Sequence, residues 1–391
     1  MVEKYAFNSG LNRRVFLKAS AGIVGMLCLS SIVGCTRESN TEKMSTLQTP
    51  QKGFIRPIPS PWFSKLNNTK VRCELCPKQC ELEEGERAPC RVRINRDGAI
   101  YTLAYDNPAL IQEDPVERKP FFHVMPGSRA ISVSTAGCNL QCKFCEAWDM
   151  TQVNPEEVHA HDMPPEMVVA HAVAANVRAI SYAFGEPVIF YEFMAAIATL
   201  AKEAGLLNLM HTAGYIQKEP LKELNGKLDA VNVDLKSFNP TFYREVVGGE
   251  LDHVLKTLKL LKDADIHIEI TNIIIPTLND EMGKINQMCK WIANELGVDV
   301  PLHFVRFYPL YYLSDLPRTP VSTLDKARDI ALDAGLKFVY ISRVTGHEGE
   351  NTYCPGCREA VIKRVGFVVD EILLENGKCT YCGADLPGIW A

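Results

Sequence analysis

The clearest potential for chemistry lies in Cys138, Cys142 and Cys145, which are spaced C-x3-C-x2-C in one short loop after an apolar run. Three thiolates can ligate three irons of a 4Fe-4S cubane, which leaves the fourth iron without a protein ligand. Because open coordination positions distinguish catalytic from structural metal sites, the loop is predicted to bind a substrate or cofactor on that iron. A structural zinc site or a set of buried thiols is the alternative, but zinc needs a fourth ligand and none lies nearby in sequence.

The loop resembles the cluster-binding loop of the radical SAM superfamily, including the aromatic Phe144 before the last cysteine. The resemblance implies that the amine and carboxylate of S-adenosylmethionine (SAM) chelate the open iron. It also implies that one electron from the reduced cluster cleaves SAM to methionine and a 5'-deoxyadenosyl radical, which abstracts hydrogen from a substrate. No catalytic residue beyond the cluster ligands is predicted.

Two further groups of cysteines flank this loop. The N-terminal set comprises Cys73, Cys76, Cys80 and Cys90, and the C-terminal set comprises Cys354, Cys357, Cys379 and Cys382. The N-terminal set fits a tetrahedral zinc site or an accessory iron-sulfur cluster, and free or disulfide-bonded thiols are a third possibility. The paired C-x-x-C knuckles of the C-terminal set predict structural zinc or rubredoxin-type iron, with an accessory cluster as the alternative.

Alternating apolar runs and helical patterns predict the elements that position these cysteines. Strands are predicted at 130–134, 179–182, 207–211, 230–234, 267–274, 302–306 and 338–341, with helices between them, for instance at 189–204 and 252–262. The alternation predicts an α/β fold with a parallel sheet that forms a full or partial (β/α) barrel. Ligand sites in such barrels lie at the C-terminal ends of the strands. A hairpin around Asp97 and Gly98 is predicted in the N-terminal region.

Polar residues follow several of these strands. Asp234 and Lys236 share one face of a strand, so they are candidates for contacts with the ribose hydroxyls and the methionyl carboxylate of SAM. A structural ion pair is the alternative for these two residues. Thr212 offers a hydroxyl after the third strand, where a similar segment of glycyl-radical activases helps to hold SAM or a cation. The resemblance to the superfamily's Gly-Gly-Glu segment implies that Gly185 and Glu186 hold the SAM amine.

One loop and two further residues are candidates for ligand contacts. Residues 275–280 resemble a superfamily loop that cups adenine. His303 and Arg306 are candidates for ribose or substrate contact, or for core scaffolding. Tyr308 stands where relatives often have histidine.

Composition divides the 391-residue chain into five segments. These are a twin-arginine and lipoprotein-like signal at 1–35, a flexible linker at 36–60, an N-terminal cysteine domain at 61–120, a radical SAM core at 121–344 and a C-terminal metal module at 345–391. Arg13 and Arg14 precede an apolar stretch that is too short for a permanent span, and Cys35 ends a lipobox-like sequence. We therefore expect export and a lipid anchor at Cys35, with a cytoplasmic location as the alternative. The net charge of -5 gives no electrostatic reason to expect nucleic acid.

Several flanking motifs resemble a narrower group, the radical SAM member of the AmmeMemoRadiSam system. The motifs are at 73–80, 90–93, 114–120, 126–128 and 346–355. This resemblance covers about residues 70–391 and implies a low-potential electron donor and Memo-like and AMMECR-like partners. A glycyl-radical activase of the pyruvate formate-lyase activating type is an alternative function. An exported iron-sulfur electron-transfer or metal-binding lipoprotein without SAM is an alternative from another class.

Overall fold

The computed structural model describes residues 49–390, and an open eight-stranded sheet forms their centre. Its strands are β1 (Leu110–Pro115), β2 (Arg129–Ser134), β3 (Ala179–Tyr182), β4 (Leu207–Thr212), β5 (Ala230–Asp234), β6 (His267–Ile274), β7 (Leu302–Arg306) and β8 (Val339–Ser342). The strands lie side by side in chain order, with β1 antiparallel to β2 and every pair from β2 to β8 parallel. Because β1 and β8 do not pair with each other among the described residues, the sheet is a partial barrel.

Each parallel crossover contains a helix. The six helices are α1 (Pro165–Ala174), α2 (Tyr191–Glu203), α3 (Lys218–Glu223), α4 (Leu251–Asp263), α5 (Met282–Glu295) and α6 (Val321–Asp333). Buried residues recur three or four positions apart along α4, at Leu251, Val254, Leu258 and Leu261. This apolar stripe packs α4 against β6, and α1 and α2 pack in the same way against β3, all four of whose residues are buried.

Short helical segments complete the connections. They are Val116–Arg118, Trp148–Thr151, Pro155–Glu157, Pro187–Phe190, Pro240–Phe242, Tyr243–Val247, Tyr311–Leu313 and Glu348–Glu350. The segment Tyr243–Val247 is a π-helix, and its C-terminal turn contacts the cysteine loop. π-Helical turns are frequent at functional sites.

The N-terminal region consists of short antiparallel strands. They are Ile58–Pro59, Phe63–Lys65, Val71–Cys73, Glu81–Leu82, Arg93–Arg96 and Ala99–Thr102. The predicted hairpin is confirmed, because Arg93–Arg96 pairs with Ala99–Thr102 across Asp97 and Gly98. Both turn residues have positive φ, at 54° and 67°, as a two-residue type I′ turn requires.

The described part of the predicted linker is anchored and not flexible. Gln51–Lys52 forms a strand that pairs with His159–Ala160. The Arg56 guanidinium lies 2.6 Å from Asp106 and 3.3 Å from Asp162. These partners are distant in the chain, so local composition gave no sign of them. Residues 36–48 of the linker and the signal at 1–35 lie outside the described residues.

The C-terminal region packs against the end of the barrel at which the parallel strands begin. Its strands are Thr352–Tyr353, Ala360–Val365, Val368–Ile372, Leu374–Glu375 and Lys378–Cys379. The buried His123 ring hydrogen-bonds the Pro387 carbonyl at 2.6 Å and the Tyr340 hydroxyl at 2.7 Å. Arg364 donates to the Phe122 carbonyl at 2.8 Å. No helix among the described residues is both long and apolar enough to span a bilayer.

Candidate functional site

A cavity of about 710 Å³ opens at the C-terminal ends of the strands, as the barrel topology predicts. We call it the strand-end cavity. Its lining includes the three loop cysteines and five residues predicted to bind the cofactor, namely Cys138, Cys142, Cys145, Gly185, Glu186, Thr212, Asp234 and Lys236. The structure therefore brings together groups that are separated by up to about a hundred residues in the chain. The volume lies within the range of roughly 300–1,000 Å³ that is usual for small-molecule sites.

The cysteine loop is held by backbone contacts with the end of the π-helix. Gln141 and Lys143 donate their N–H groups to the carbonyls of Val247 and Val246, both at 2.9 Å. The Leu140 N–H points at the Cys138 sulfur at 3.4 Å. These contacts fix the loop from outside, so the three sulfurs remain directed at the cavity.

Burial keeps these thiols protonated in the absence of a metal. It raises the pKa of Cys142 to about 12, although the nearby Lys236 ammonium opposes the rise. Burial also raises the pKa of Cys145, although a hydrogen bond with the Thr151 hydroxyl at 3.2 Å lowers that pKa in part. Metal binding must displace these protons, which is the usual behaviour of thiolate ligands.

Glu186 is buried at the end of the turn that follows β3. Its carboxylate accepts hydrogen bonds from the Thr212 hydroxyl at 2.6 Å, the Ala213 N–H at 2.8 Å and the Val188 N–H at 3.1 Å. Glu186 therefore joins the turns after β3 and β4. Because one of its oxygens accepts only a single bond, the carboxylate keeps capacity for a ligand amine. A Cβ on the neighbouring Gly185 would come within 2.3 Å of the Ser134 hydroxyl, which is why this position favours glycine.

Asp234 lies between two basic side chains at the end of β5. Its carboxylate is 2.8 Å from the Lys236 ammonium and 2.9 Å from His211 Nε2. Burial alone would raise the pKa of Asp234, but Lys236 and His211 together outweigh it and hold that pKa well below its usual range. The predicted ion pair is thus present, and both of its members also line the cavity.

Several lining residues were not predicted from the sequence. Arg118 lies over the Phe184 ring at 5.1 Å, and Arg343 forms an ion pair with Glu146. Phe367 reaches the cavity from the C-terminal region. Arg118 is inside one of the motifs that carry the family resemblance, but its orientation depends on the antiparallel strand β1, for which no sequence pattern was recognised. Tyr308 does line the cavity, through the segment that follows β7.

Other candidates lie elsewhere. His303 is fully buried, with Nε2 2.6 Å from a Glu269 carboxylate oxygen, and it is part of the core. Arg306 donates to the Thr319 carbonyl and does not line the cavity. Residues 275–280 also lie outside the lining. Asn279 nevertheless donates to the Lys236 carbonyl at 2.8 Å and so stabilises the backbone just after β5.

The C-terminal set forms a compact group of thiols. The sulfurs of Cys354 and Cys382 are 3.6 Å apart, and those of Cys357 and Cys379 are 3.7 Å apart. Metal–sulfur bonds of about 2.3 Å in a tetrahedron give sulfur separations of about this size. The four sulfurs all lie within 4.8 Å of one another, so the geometry suits a single zinc or iron ion.

The N-terminal set encloses a second, small cavity of about 20 Å³. Its four cysteines are free thiols, which disfavours the disulfide alternative. Among residues 49–390, only the C-terminal set brings three or more potential metal ligands within 4.8 Å. Neither the N-terminal thiols nor the loop thiols form such a group among the described residues.

Comparisons with known proteins show the family of the chain. The Radical SAM superfamily profile matches residues 132–289, which span the cysteine loop and the strands up to β6. An uncharacterized protein of Methanocaldococcus jannaschii is 43% identical over 324 residues, which cover 82% of this chain and 96% of that protein. The chain belongs to the radical SAM superfamily. It is a SAM-dependent enzyme, and the superfamily's cofactors are a 4Fe-4S cluster and SAM, as predicted.

More distant relatives have named activities. The pyruvate formate-lyase-activating enzyme of Streptococcus mutans is 25% identical over 213 residues, covering 46% of this chain and 80% of that enzyme. A solved radical SAM methyltransferase from Sphaerobacter thermophilus is 14% identical, with a TM-score of 0.45 and coverage of 78% and 80%.

The residues present fit these cofactors. Three cysteines without a fourth thiol line the strand-end cavity, as a cluster with an open iron requires. The buried hydroxyls of Ser134 and Thr135, beside the loop, have no hydrogen-bond partner among the described residues. Buried hydroxyls usually have partners, so these two are free to meet a bound group.

Proposed function

We propose that this enzyme binds its 4Fe-4S cluster through Cys138, Cys142 and Cys145 and generates a 5'-deoxyadenosyl radical that abstracts hydrogen from a substrate in the strand-end cavity. The observation that supports it is the convergence of the three thiols with Glu186, Asp234 and other polar strand ends in one cavity. When bound, cluster and SAM supply a one-electron reductive cleavage that yields methionine and the radical.

The protein's own residues bind and orient SAM in this proposal. Glu186 and the Thr212 hydroxyl accept hydrogen bonds from the methionyl amine, and the Lys236 ammonium forms an ion pair with the methionyl carboxylate. Asp234 is ionised because of its two basic neighbours, and its carboxylate accepts hydrogen bonds from the ribose hydroxyls. Arg118, Phe184 and the other residues at the mouth exclude bulk water from the radical.

The test is SAM cleavage by the anaerobically reconstituted, dithionite-reduced protein. We expect 5'-deoxyadenosine from the wild type and none from the Cys138→Ala, Cys142→Ala, Cys145→Ala triple variant. Cys289→Ala is the matched control, because Cys289 is a buried cysteine on α5 outside all three sets. A wild type that carries an intact cluster and yields no 5'-deoxyadenosine would refute the proposal.

A second candidate is activation of a glycyl-radical enzyme. Relatives named pyruvate formate-lyase-activating enzymes match about half of this chain. Next to the cluster loop, Trp148 stacks on Tyr311 at 5.3 Å, and Tyr312 is 72% exposed. Such a surface can contact a polypeptide. A glycyl radical detected by electron paramagnetic resonance in a candidate partner, dependent on SAM and on Cys142, would support this function over the modification of a small molecule.

The remaining proposals concern partners and location. The motifs at residues 114–120 and 346–355 support an association with Memo-like and AMMECR-like proteins, which co-purification with those proteins tests. The paired Arg13 and Arg14 and the lipobox-like Cys35 support export and lipid anchoring.

A further inference from the structure

The N-terminal set has the arrangement of a cluster site and not that of a single-ion site. All four cysteines line one cavity, yet they fall outside the 4.8 Å grouping that the C-terminal set satisfies within the described residues. One zinc ion draws its four sulfurs together, whereas each thiolate of a cubane binds a different iron, so the sulfurs stand further apart. The loop cysteines, which bind the catalytic cluster in the proposed function, likewise form no such group.

The thiols surround an open space. The cavity of about 20 Å³ exceeds the roughly 10–15 Å³ that one water needs, so a bound group has room between the four thiols.

Two buried polar side chains on the cavity wall each have one atom without a hydrogen-bond partner among the described residues. Arg93 is 1% exposed, and its Nε–H has no acceptor among the described residues, although its other nitrogens bond Glu192. Asn139 is 2% exposed, and its Oδ1 is also unpartnered. An unpaired guanidinium N–H beside four thiols indicates that an anionic group belongs in this space, because buried donors are normally satisfied.

The N-terminal set also touches the catalytic loop. Asn139 lies between Cys138 and Cys142 in sequence, and it lines the N-terminal cavity. A Cβ on Gly137 would come within 2.6 Å of the Cys90 carbonyl, so the two cysteine segments are in direct backbone contact. Val188 lines the N-terminal cavity, and its N–H binds Glu186 in the strand-end cavity.

We propose that Cys73, Cys76, Cys80 and Cys90 hold a second iron-sulfur cluster, a 4Fe-4S cubane with four cysteine ligands, which passes electrons to the catalytic cluster. A low-potential flavin or iron-sulfur protein gives up one electron to the second cluster. The second cluster returns to its oxidised state when that electron moves to the catalytic cluster, and no proton or bond is exchanged. Only this relay step rests on the proposed function. The second cluster itself does not.

The first experiment counts iron and sulfide in the full-length, anaerobically reconstituted chain. A wild type with two cubanes contains about eight cluster irons by Mössbauer spectroscopy, and one with a single cubane contains about four. We expect the Cys138→Ala, Cys142→Ala, Cys145→Ala variant to keep about four irons and four acid-labile sulfides. Zinc without sulfide at the N-terminal set, or about four cluster irons in the wild type, would overturn the proposal. The wild-type count does not depend on any variant folding.

The second experiment tests the relay. The Cys73→Ala, Cys76→Ala, Cys80→Ala, Cys90→Ala variant is compared with the wild type in SAM cleavage, once with dithionite and once with reduced flavodoxin as donor. We expect the ratio of the flavodoxin rate to the dithionite rate to fall at least 10-fold. An unchanged ratio, whether both rates fall or neither does, would overturn the relay. The iron count is read separately, so a failed relay is distinguishable from an enzyme that does not cleave SAM at all.

Discussion

At the scale of single residues, Asp234 and Lys236 form the charged centre of the strand-end cavity. Both side chains are largely buried, with exposed fractions of 18% and 11%. The pKa of the Lys236 ammonium is raised, because Asp234 and the nearby Cys142 outweigh the opposite effect of burial. Both groups are therefore charged at neutral pH, and each is available to a zwitterionic ligand such as SAM.

Lys236→Met leaves Asp234 with His211 as its remaining basic partner. It also removes the proposed partner of the methionyl carboxylate, and losing one member of a buried charge pair between protein and ligand costs roughly 2–5 kcal/mol, so SAM affinity is expected to fall about 30-fold or more. Equilibrium dialysis with labelled SAM on the reconstituted protein measures this, and Lys256→Met, at an exposed position of α4, is the control. If Lys236→Met binds SAM as tightly as the wild type and has the same iron content, the pair is structural only.

At the scale of elements, the contact between the cysteine loop and the N-terminal set depends on a backbone turn. Gly137 has φ of 98°, a conformation that side chains rarely adopt, and the Cys90 carbonyl leaves no space for a Cβ. Gly205 provides a matched comparison, because its φ is 74° and nothing lies within 4 Å of an added Cβ.

Gly205→Ala is expected to lower the free energy of unfolding by about 1–3 kcal/mol through strain alone, without loss of iron. Gly137→Ala adds a clash to that strain, so we expect a larger loss of stability together with a lower iron content. Anaerobic urea unfolding and iron analysis of the two variants measure these effects. Equal effects of the two substitutions would show that the close approach to Cys90 does not matter.

The C-terminal set is a separate element whose geometry suits one ion. Replacing Cys357 and Cys382 by serine removes two of four ligands, so we expect loss of one metal ion and a lower unfolding temperature, since structural metal sites contribute directly to folding. The iron bound at the loop cysteines is expected to remain. Metal analysis and calorimetry test this, and a variant with the full metal content would contradict it.

Local patterns predicted the parallel strands well and the contacts between them poorly. The bounds of β3, β5, β6 and β7 match the predicted strands, because these largely buried segments are rich in apolar and β-branched residues. Strand β1 was missed, since this edge strand contains Gln, Glu and Asp and ends at Pro115.

In the candidate site, too, local features were predicted and contacts between distant residues were not. The spacing of the loop cysteines and the two-residue step from Asp234 to Lys236 are local, so the sequence indicated them. The burial of His303 against Glu269 depends on the register of β6 and β7, and the position of Arg118 depends on β1. These arrangements follow from tertiary packing, which no local pattern encodes.

At the scale of the whole molecule, the location of the enzyme is open to a direct test. If residues 1–35 act as a twin-arginine lipoprotein signal, Arg13→Lys with Arg14→Lys retains the protein in the cytoplasm, and Cys35→Ser releases it from the membrane fraction after export. Cell fractionation with immunoblotting measures both, and Lys18→Arg is a charge-preserving control within the signal. An unchanged distribution in both variants would favour the cytoplasmic alternative.

The burial of His123 has a consequence for the folding of the chain during its synthesis. Its ring is completely buried, yet Pro387, one of its two hydrogen-bond partners, is synthesised 264 residues later. A nascent polypeptide therefore carries this end of the barrel uncovered during most of its translation. Products that stop before residue 386 are expected to be recognised by chaperones and degraded by cellular proteases, even though they contain every cysteine of the three sets.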